Sequence, residues 1–178
     1  MRNICVFCGS KFGRNPAFEK AASELGAAIA ARGLGVVYGG GQVGLMGVVA
    51  DAALKAGGRV VGVIPQALAD REVAHHGLTE LHVVASMHER KAMMADLSDA
   101  FVALPGGYGT LEELFEVVTW LQLGIHDRPI ALLNVAGYYD SLIEMIDLAV
   151  QEDFVSQSNR GLIRGAATTE ELLRSIGC

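Results

Sequence analysis

Two adjacent carboxylates, Glu112 and Glu113, follow three glycines crowded into four residues in the run Leu104-Pro105-Gly106-Gly107-Tyr108-Gly109-Thr110-Leu111-Glu112-Glu113. A glycine-rich turn lets backbone N–H groups approach a ligand closely, and a helix N-terminus carries partial positive charge. Together they make a cradle for a phosphate. Carboxylates beside such a cradle have no place in plain anion binding, so they ask for another role. One is structural: Thr110 and Glu113 have capping-box spacing, and Glu113 can bond the N–H of Thr110. The other is chemical, and the two are compatible because a hydrogen-bonded carboxylate is also pre-positioned. Thr119, further along the same segment, either bonds back to the carbonyl four residues earlier or faces a ligand.

A second group is Ser86-Met87-His88-Glu89-Arg90-Lys91. Ser86 and Glu89 form a capping box, which accounts for both. Arg90 and Lys91 are left over, and cations in a helix's first turns oppose its dipole. Either they lie on a solvated or ion-paired face, or Arg90 reaches over a strand rim toward a bound anion with Lys91 as a further anion contact.

Other chemistries fit less well. Gly39-x-Gly41-x-x-Gly44 has the dinucleotide spacing, but it follows the second strand. The next strand ends at Ile64-Pro65-Gln66, with no acid to read ribose hydroxyls about 20 residues on. No G-x-x-x-x-G-K-[ST] occurs, which excludes a P-loop. Pyridoxal phosphate needs a Schiff-base lysine, and Lys11, Lys20, Lys55 and Lys91 are the lysines available. His75, His76, His82, His88 and His126 lack metal-ligand spacing. No cofactor and no metal is expected. Cys5 and Cys8 form a C-x-x-C within or just after a strand, where buried, inert thiols are expected rather than a redox or zinc site.

These residues need a scaffold, and the chain supplies one. Apolar strands alternate with amphipathic helices: Ile4 to Phe7, a helix from Pro16 to Arg32, Val36 to Tyr38, and a helix from Gly44 to Ala56. Arg59 to Ile64, Leu81 to Ala85 and a helix from Met87 to Leu97 follow. The pattern closes with Ala100 to Leu104, a helix from Thr110 to Leu123, Ile130 to Asn134 and a helix from Tyr138 to Val150. Residues 66 to 80 are irregular, and the tail from Glu152 is loop with a short helix near Thr169 to Ser175. This pattern predicts an α/β fold, a Rossmann-like doubly wound parallel sheet with helices on both faces, as one domain over residues 1–178. Ligands in such sheets sit beyond the strand carboxyl ends. Three glycine turns fall there, Gly9-Ser10, Gly39 to Gly44 and Gly106 to Thr110, and point to a nucleotide or phosphosugar. Gly9, Ser10, Gly41 and Gly44 are therefore candidate binding residues beside Gly106, Gly107, Tyr108, Gly109 and Thr110.

Composition agrees. Apolar residues make up 51% of 178 and aromatics 6%, which suits helices packed tightly on a sheet. A net charge of -6 argues against nucleic acid and anionic membrane as partners, so an anion site must be local. No apolar stretch approaches the roughly 20 residues of a membrane span. No signal peptide is visible, and three cysteines cannot all pair, so a cytoplasmic location is expected. The helix from Thr110 to Leu123 has a broad apolar face (Leu111, Leu114, Phe115, Val118, Leu121), and Val117 and Trp120 lie off it. An all-round apolar helix is covered on every side, which predicts a homodimer through this helix.

Met87-His88-Glu89-Arg90-Lys91 followed by Pro105-Gly106-Gly107-Tyr108-Gly109-Thr110-Leu111-Glu112-Glu113 resembles the Lonely guy (LOG) family, the cytokinin riboside 5′-monophosphate phosphoribohydrolases. Many members carry the label of possible lysine decarboxylases, which the cofactor argument disfavours. The likeness runs nearly end to end through Cys8-Gly9-Ser10, Tyr38-Gly39-Gly40-Gly41, Gly44-Leu45-Met46-Gly47 and Thr119-Trp120-Leu121-Gln122-Leu123-Gly124. It implies hydrolysis of the N-glycosidic bond of an adenosine 5′-monophosphate, N6-prenylated for a cytokinin, to free base and ribose 5-phosphate. It implies Arg90 and Glu113 as the catalytic pair, and Glu72, Lys91, the segment Gly107 to Glu113 and Thr119 as substrate-binding positions. It also points to a dimer. A non-catalytic nucleotide-binding or carrier protein on the same fold is the rival reading, since fold alone does not decide function.

Overall fold

The computed structural model describes residues 1–69 and 74–178. Glu72, a substrate-binding expectation, lies outside them. The described residues form one seven-stranded parallel sheet: β1 (Asn3–Phe7), β2 (Gly35–Tyr38), β3 (Val60–Pro65), β4 (Glu80–Val84), β5 (Ala100–Ala103), β6 (Ile130–Leu133) and β7 (Ile163–Ala166), in the order β4-β3-β2-β1-β5-β6-β7. Successive strand residues point to opposite faces, and two cores result. Ile4, Val6, Val102 and Leu104 face helices α1 (Pro16–Ala31), α2 (Gly44–Lys55) and α8 (Thr169–Ser175). Cys5, Phe7, Phe101 and Ala103 face α4 (Met87–Asp96), α5 (Tyr108–Gln122) and α6 (Asp140–Gln151). Strands apolar on both faces therefore read as continuous runs, the signature of a covered parallel sheet. The fold class is as the sequence predicts.

From β1 the sheet extends one way through β2 and the other way through β5. That reversal is the topological switch point, where doubly wound sheets bind ligands. The three glycine turns gather at this rim. Gly9 N–H donates to the Pro105 carbonyl at 3.1 Å, and Leu45 N–H donates to the Gly9 carbonyl at 3.0 Å.

Four local expectations change. The tail after Glu152 is not all loop: it contains a short helix, α7 (Gln157–Arg160), and β7, whose sequence Ile-Arg-Gly-Ala is half-exposed at the sheet edge and lacks an apolar run. The segment read as irregular opens with one helical turn, α3 (Gln66–Ala69). Helix α5 begins at Tyr108, two residues earlier than expected, with Gly107 as its N-cap. Its core stripe is accordingly Thr110, Glu113, Leu114 and Val117, whereas Phe115 is 40% exposed. Val117 is thus core and Phe115 faces outward, the reverse of the sequence assignment.

Candidate active site

Helix α5 starts straight out of a glycine turn, so its first N–H groups have no intrahelical acceptor, and Gly107 offers no capping side chain. The turn is anchored from behind. Tyr139 Oη donates to the Leu104 carbonyl at 2.6 Å, and Tyr138 Oη donates to the Gly106 carbonyl at 2.5 Å. A Cβ on Gly106 would fall 2.1 Å from Thr110 Oγ1 and 2.9 Å from the Gly9 nitrogen. Gly106 is therefore needed for close packing of the turn on β1's exit.

Because α5 begins at Tyr108, Thr110 sits inside the helix and does not cap it. Capping cannot then explain Glu113. Its carboxylate points into a cavity of about 210 Å³ lined by Val6, Cys8, Gly9, Ser10, Met46, Leu68, Arg90, Gly107, Tyr108, Gly109, Thr110 and Glu113 itself. Burial pushes the Glu113 carboxyl up to about 7, although the nearby Arg90 cation acts in the opposite sense. A carboxylate so placed is poised to change protonation near neutrality, a common property of catalytic acids and bases.

Arg90 comes from the opposite wall. Ser86 caps α4, accepting from Glu89 N–H at 3.1 Å, while the Glu89 carboxylate accepts from Ala85 N–H at 2.9 Å. The Ser86 half of the expected capping box is present, while the Glu89 carboxylate reaches one residue further back, to Ala85 instead of Ser86. The Arg90 guanidinium passes beneath the strand rim. Its Nε donates to the Val63 carbonyl at 3.2 Å and its Nη2 to the Gly39 carbonyl at 3.4 Å, and Nη2 lies 3.5 Å from Glu113 Oε1. Both side chains are about nine-tenths buried. Backbone carbonyls thus fix the cation where a buried carboxylate needs it. Gly39 is part of this design, since a Cβ there would fall 2.0 Å from Nη2.

Other expected site residues fall elsewhere. Gly44 has φ +60°, and a Cβ there would lie 2.3 Å from the Ser10 carbonyl carbon, so it supports the Gly9-Ser10 loop and does not line the cavity. Gly41 is buried and bridges Ala74 in antiparallel fashion. Lys91 is not free for an anion: its ammonium contacts the carboxylates of Glu112 and Glu116, the latter at 3.0 Å. Glu112 is accordingly an ion-pair partner on the outer side of α5. Leu111 packs against the α4/α5 core. Thr119 is exposed, and its hydroxyl donates to the Phe115 carbonyl at 2.7 Å, the back-bond that its helical position allows. Within the protomer these residues stand outside the Arg90–Glu113 cavity.

Sequence reasoning missed Met46 and Leu68 as cavity residues. Met46 lies in the quoted Gly44-Leu45-Met46-Gly47 run, but its apolar character hides it among core positions. Leu68 falls in a segment without periodicity. Cys5 and Cys8 are buried, and burial pushes both thiols up, away from thiolate chemistry. Among the described residues no cluster of three metal-ligating side chains occurs. His75 Nε2 lies 2.9 Å from Asp51 Oδ1, and His126 Nε2 bonds the Val117 carbonyl at 2.9 Å.

A switch-point cavity with the α5 amides and the buried Glu113 on one wall and Arg90 on the other is the arrangement that a nucleotide- or phosphosugar-type site calls for on a Rossmann-like α/β fold. Comparison with known proteins narrows the class. The family profile described as "Possible lysine decarboxylase" matches residues 46–176. The chain is 55% identical over 175 residues to the probable cytokinin riboside 5′-monophosphate phosphoribohydrolase LOGL6 of Oryza sativa subsp. japonica, covering 98% of this chain and 70% of that one. It is 52% identical over 175 residues to the cytokinin riboside 5′-monophosphate phosphoribohydrolase LOG1 of Arabidopsis thaliana, with 98% and 82% covered. The chain belongs to this LOG family. Among solved structures, the molybdenum cofactor carrier protein of Chlamydomonas reinhardtii superposes with a TM-score of 0.74 at 22% identity, covering 98% of this chain and 95% of that one. That likeness concerns the fold alone.

Proposed function

We propose that this protein hydrolyses the N-glycosidic bond of N6-modified adenosine 5′-monophosphates, releasing the free base and ribose 5-phosphate. The observation that carries the reading is Glu113, buried on the cavity wall 3.5 Å from Arg90 and one helical turn beyond the open amides of α5. The phosphate rests on those amides, so remote binding energy holds the sugar against the carboxylate. As the C1′–N bond breaks, positive charge builds on the ribose, and Glu113 stabilises it. Glu113 also orients the attacking water, whose hydroxyl goes to C1′ while a proton goes to the departing base. Arg90, fixed by two carbonyls, favours the ionised state of Glu113 and faces the leaving base.

The same fold serves as a carrier in a neighbour of low identity, so the hydrolytic reading leans on the acid and on relatives above 50% identity. The decisive measurement incubates the protein with AMP and with its N6-prenylated form and follows free base by chromatography. Base release by the wild type and a loss of at least about a thousandfold in Glu113→Gln, with monophosphate binding retained, is expected. Normal turnover in that variant would reduce Glu113 to a structural residue. Binding without any base release by the wild type would favour the carrier.

The functional unit in this reading is a cytoplasmic homodimer. Three free cysteines, two of them buried, suit a reducing compartment, and no described helix is long and apolar enough to cross a membrane. Phe115 on α5, Leu123 at its C-cap, Ile125 beyond it, and Met145 and Leu148 on α6 are exposed, while α6 buries none of its residues. A second copy covering this face removes the apolar patch from water. Light scattering at micromolar concentration tests it: a dimer for the wild type and a monomer for Phe115→Asp with Leu148→Asp. A wild-type monomer overturns it.

A further inference from the structure

Tyr138 combines an exposed ring with a fixed hydroxyl. The side chain is 43% exposed and belongs to neither core, yet its Oη donates to the Gly106 carbonyl at 2.5 Å. Edge-on contacts with Phe18 and Tyr139, at ring-centroid distances of 5.5 and 5.0 Å, hold the ring in that pose. The chain bends sharply to present it. Ala136 has φ +52° and Gly137 φ +72°, two left-handed residues in a row. A residue with a Cβ keeps that conformation only where its surroundings impose it, and such positions gather at functional sites. Here Asn134 helps to impose it: its Oδ1 accepts from the Tyr139 N–H at 2.8 Å, and its Nδ2 donates to Asp140 Oδ1 at 2.7 Å. A strained turn that delivers a side chain to neither core points to a use beyond packing.

The peptide that Tyr138 holds separates two cavities. One is an apolar cavity of about 340 Å³ whose lining includes Tyr138, Phe12, Phe18 and Leu45, and the other is the Arg90–Glu113 cavity. Gly107 borders both, whereas Tyr138 and Gly106 border only the first. A trans peptide directs its C=O and its N–H to opposite sides, and no cis bond occurs among the described residues. With the Gly106 carbonyl turned to Tyr138, the Gly107 N–H is turned away from it. No backbone acceptor meets that N–H among the described residues. It stands directly before Tyr108 and Gly109, the first two residues of α5, whose N–H groups have no intrahelical acceptor. One hydroxyl thus sets the direction of an amide at the head of the proposed phosphate seat.

We propose that Tyr138 is a positioning residue: by holding the Gly106 carbonyl from behind, its hydroxyl turns the Gly107 N–H toward the phosphate of the bound nucleotide. The proposal rests on the phosphate seat of the reading above and adds which side chain sets it. One hydrogen bond to a charged group is worth roughly tenfold in affinity. The test reads calorimetric Kd values for carbocyclic AMP and carbocyclic adenosine, whose rings carry a methylene in place of the oxygen and cannot develop the oxocarbenium-like charge. The proteins are the wild type, Tyr138→Phe and Tyr139→Phe. Phenylalanine at 138 keeps both ring contacts and removes only the hydroxyl. Tyr139→Phe is the structural control, since its hydroxyl bonds the Leu104 carbonyl, before the glycine turn. In Tyr138→Phe the preference for the monophosphate over the nucleoside should fall about tenfold, and in Tyr139→Phe by less than threefold. A fall of less than threefold in Tyr138→Phe overturns the proposal and leaves the phosphate seat standing. A fall of threefold or more in both variants also overturns it, because the turn is then only loosened. A wild type that binds the monophosphate no better than the nucleoside removes the seat itself, and with it the role of Tyr138. Neither ligand is turned over, so a failure of the wild type to release base bears on the hydrolytic reading alone.

Discussion

The β2–α2 and β5–α5 turns leave neighbouring parts of one sheet at the same rim, and both are rich in glycine. Their glycines answer to different demands. In the first turn the protein itself fills the space a side chain would take: Arg90 at Gly39, the Ser10 backbone at Gly44, and the Gln42 carbonyl, 2.2 Å from a Cβ on Gly47. In the second turn only Gly106 is crowded. A Cβ on Gly107 or Gly109 would meet nothing within 4 Å, and neither residue has a positive φ. Among the described residues nothing crowds a side chain at those two positions, which leaves their amides open to a ligand as the proposed phosphate cradle needs. The second turn also leads to a buried carboxylate that the core would be better without. One turn is filled by the protein's own atoms, and the other is left open where the proposed phosphate would rest.

The comparison breaks most visibly at Gly44. Alanine there must adopt φ +60° with its Cβ 2.3–2.5 Å from backbone atoms of Ser10 and Lys11, which cannot move aside as a flexible side chain would. Left-handed strain and overpacking together cost about 3 kcal/mol or more. A lower urea midpoint at unchanged m-value records it. A midpoint equal to the wild type would show that this turn tolerates a side chain.

Glu113→Gln is expected to act in the opposite direction on stability while removing turnover. Folding raises the Glu113 carboxyl from an ordinary 4.5 to about 7. The folded state therefore binds this proton more tightly than the unfolded chain. Wild-type stability is full below about pH 4.5, falls as pH rises toward 7, and is lower above it by about 3 kcal/mol. Glutamine has no such loss, so the stability gained by the variant should be larger at pH 8 than at pH 5 by about 2 kcal/mol. Equal gains at the two pH values would mean that Glu113 is not pushed up by burial. The same shift sets the activity profile. Since the ionised carboxylate is the working form, kcat/KM should rise about tenfold per pH unit below about 7 and level off above it.

This contrast also explains what was legible in the sequence. Strand order of appearance, the two-faced apolar strands and the glycine turns at one rim follow from period and composition, which local chemistry fixes. The Ser86–Glu89 box was legible because a cap is written in four residues. Thr110 and Glu113 carry the same spacing yet do not cap, because α5 already starts at Tyr108 with Gly107 as its N-cap, which puts Thr110 inside the helix. The turn before it is held by Tyr138 and Tyr139, 32 and 35 residues further along the chain, a contact that four-residue spacing cannot show. The two cations of Arg90-Lys91 look alike in sequence and diverge in space. Arg90 turns to the carbonyls of Val63 in β3 and of Gly39 just after β2, and Lys91 turns to Glu112 and Glu116. Long-range partners decide such choices. β7 escaped notice for a related reason: an edge strand with Arg164 and Gly165 in it is held by its pairing with β6 and not by its own pattern.

The finest test of the contrast is Gly109→Ala. Gly109 occupies the second position of α5 after its N-cap, with helical neighbours and open space where a Cβ would go. Alanine is the better helix former, so the folded protein should lose nothing and gain up to about 0.5 kcal/mol. The added methyl group, however, stands over the amides on which the phosphate is proposed to rest. Backbone N–H groups then cannot be approached as closely, and KM for the monophosphate should rise about tenfold, which is about 1.4 kcal/mol of binding. The matching nucleoside, which lacks the phosphate, should lose less. A variant that gains stability and keeps its KM would place the phosphate elsewhere and return Gly109 to the fold. A variant that gains stability and loses affinity for the phosphorylated ligand alone would mean that the missing side chain serves the substrate.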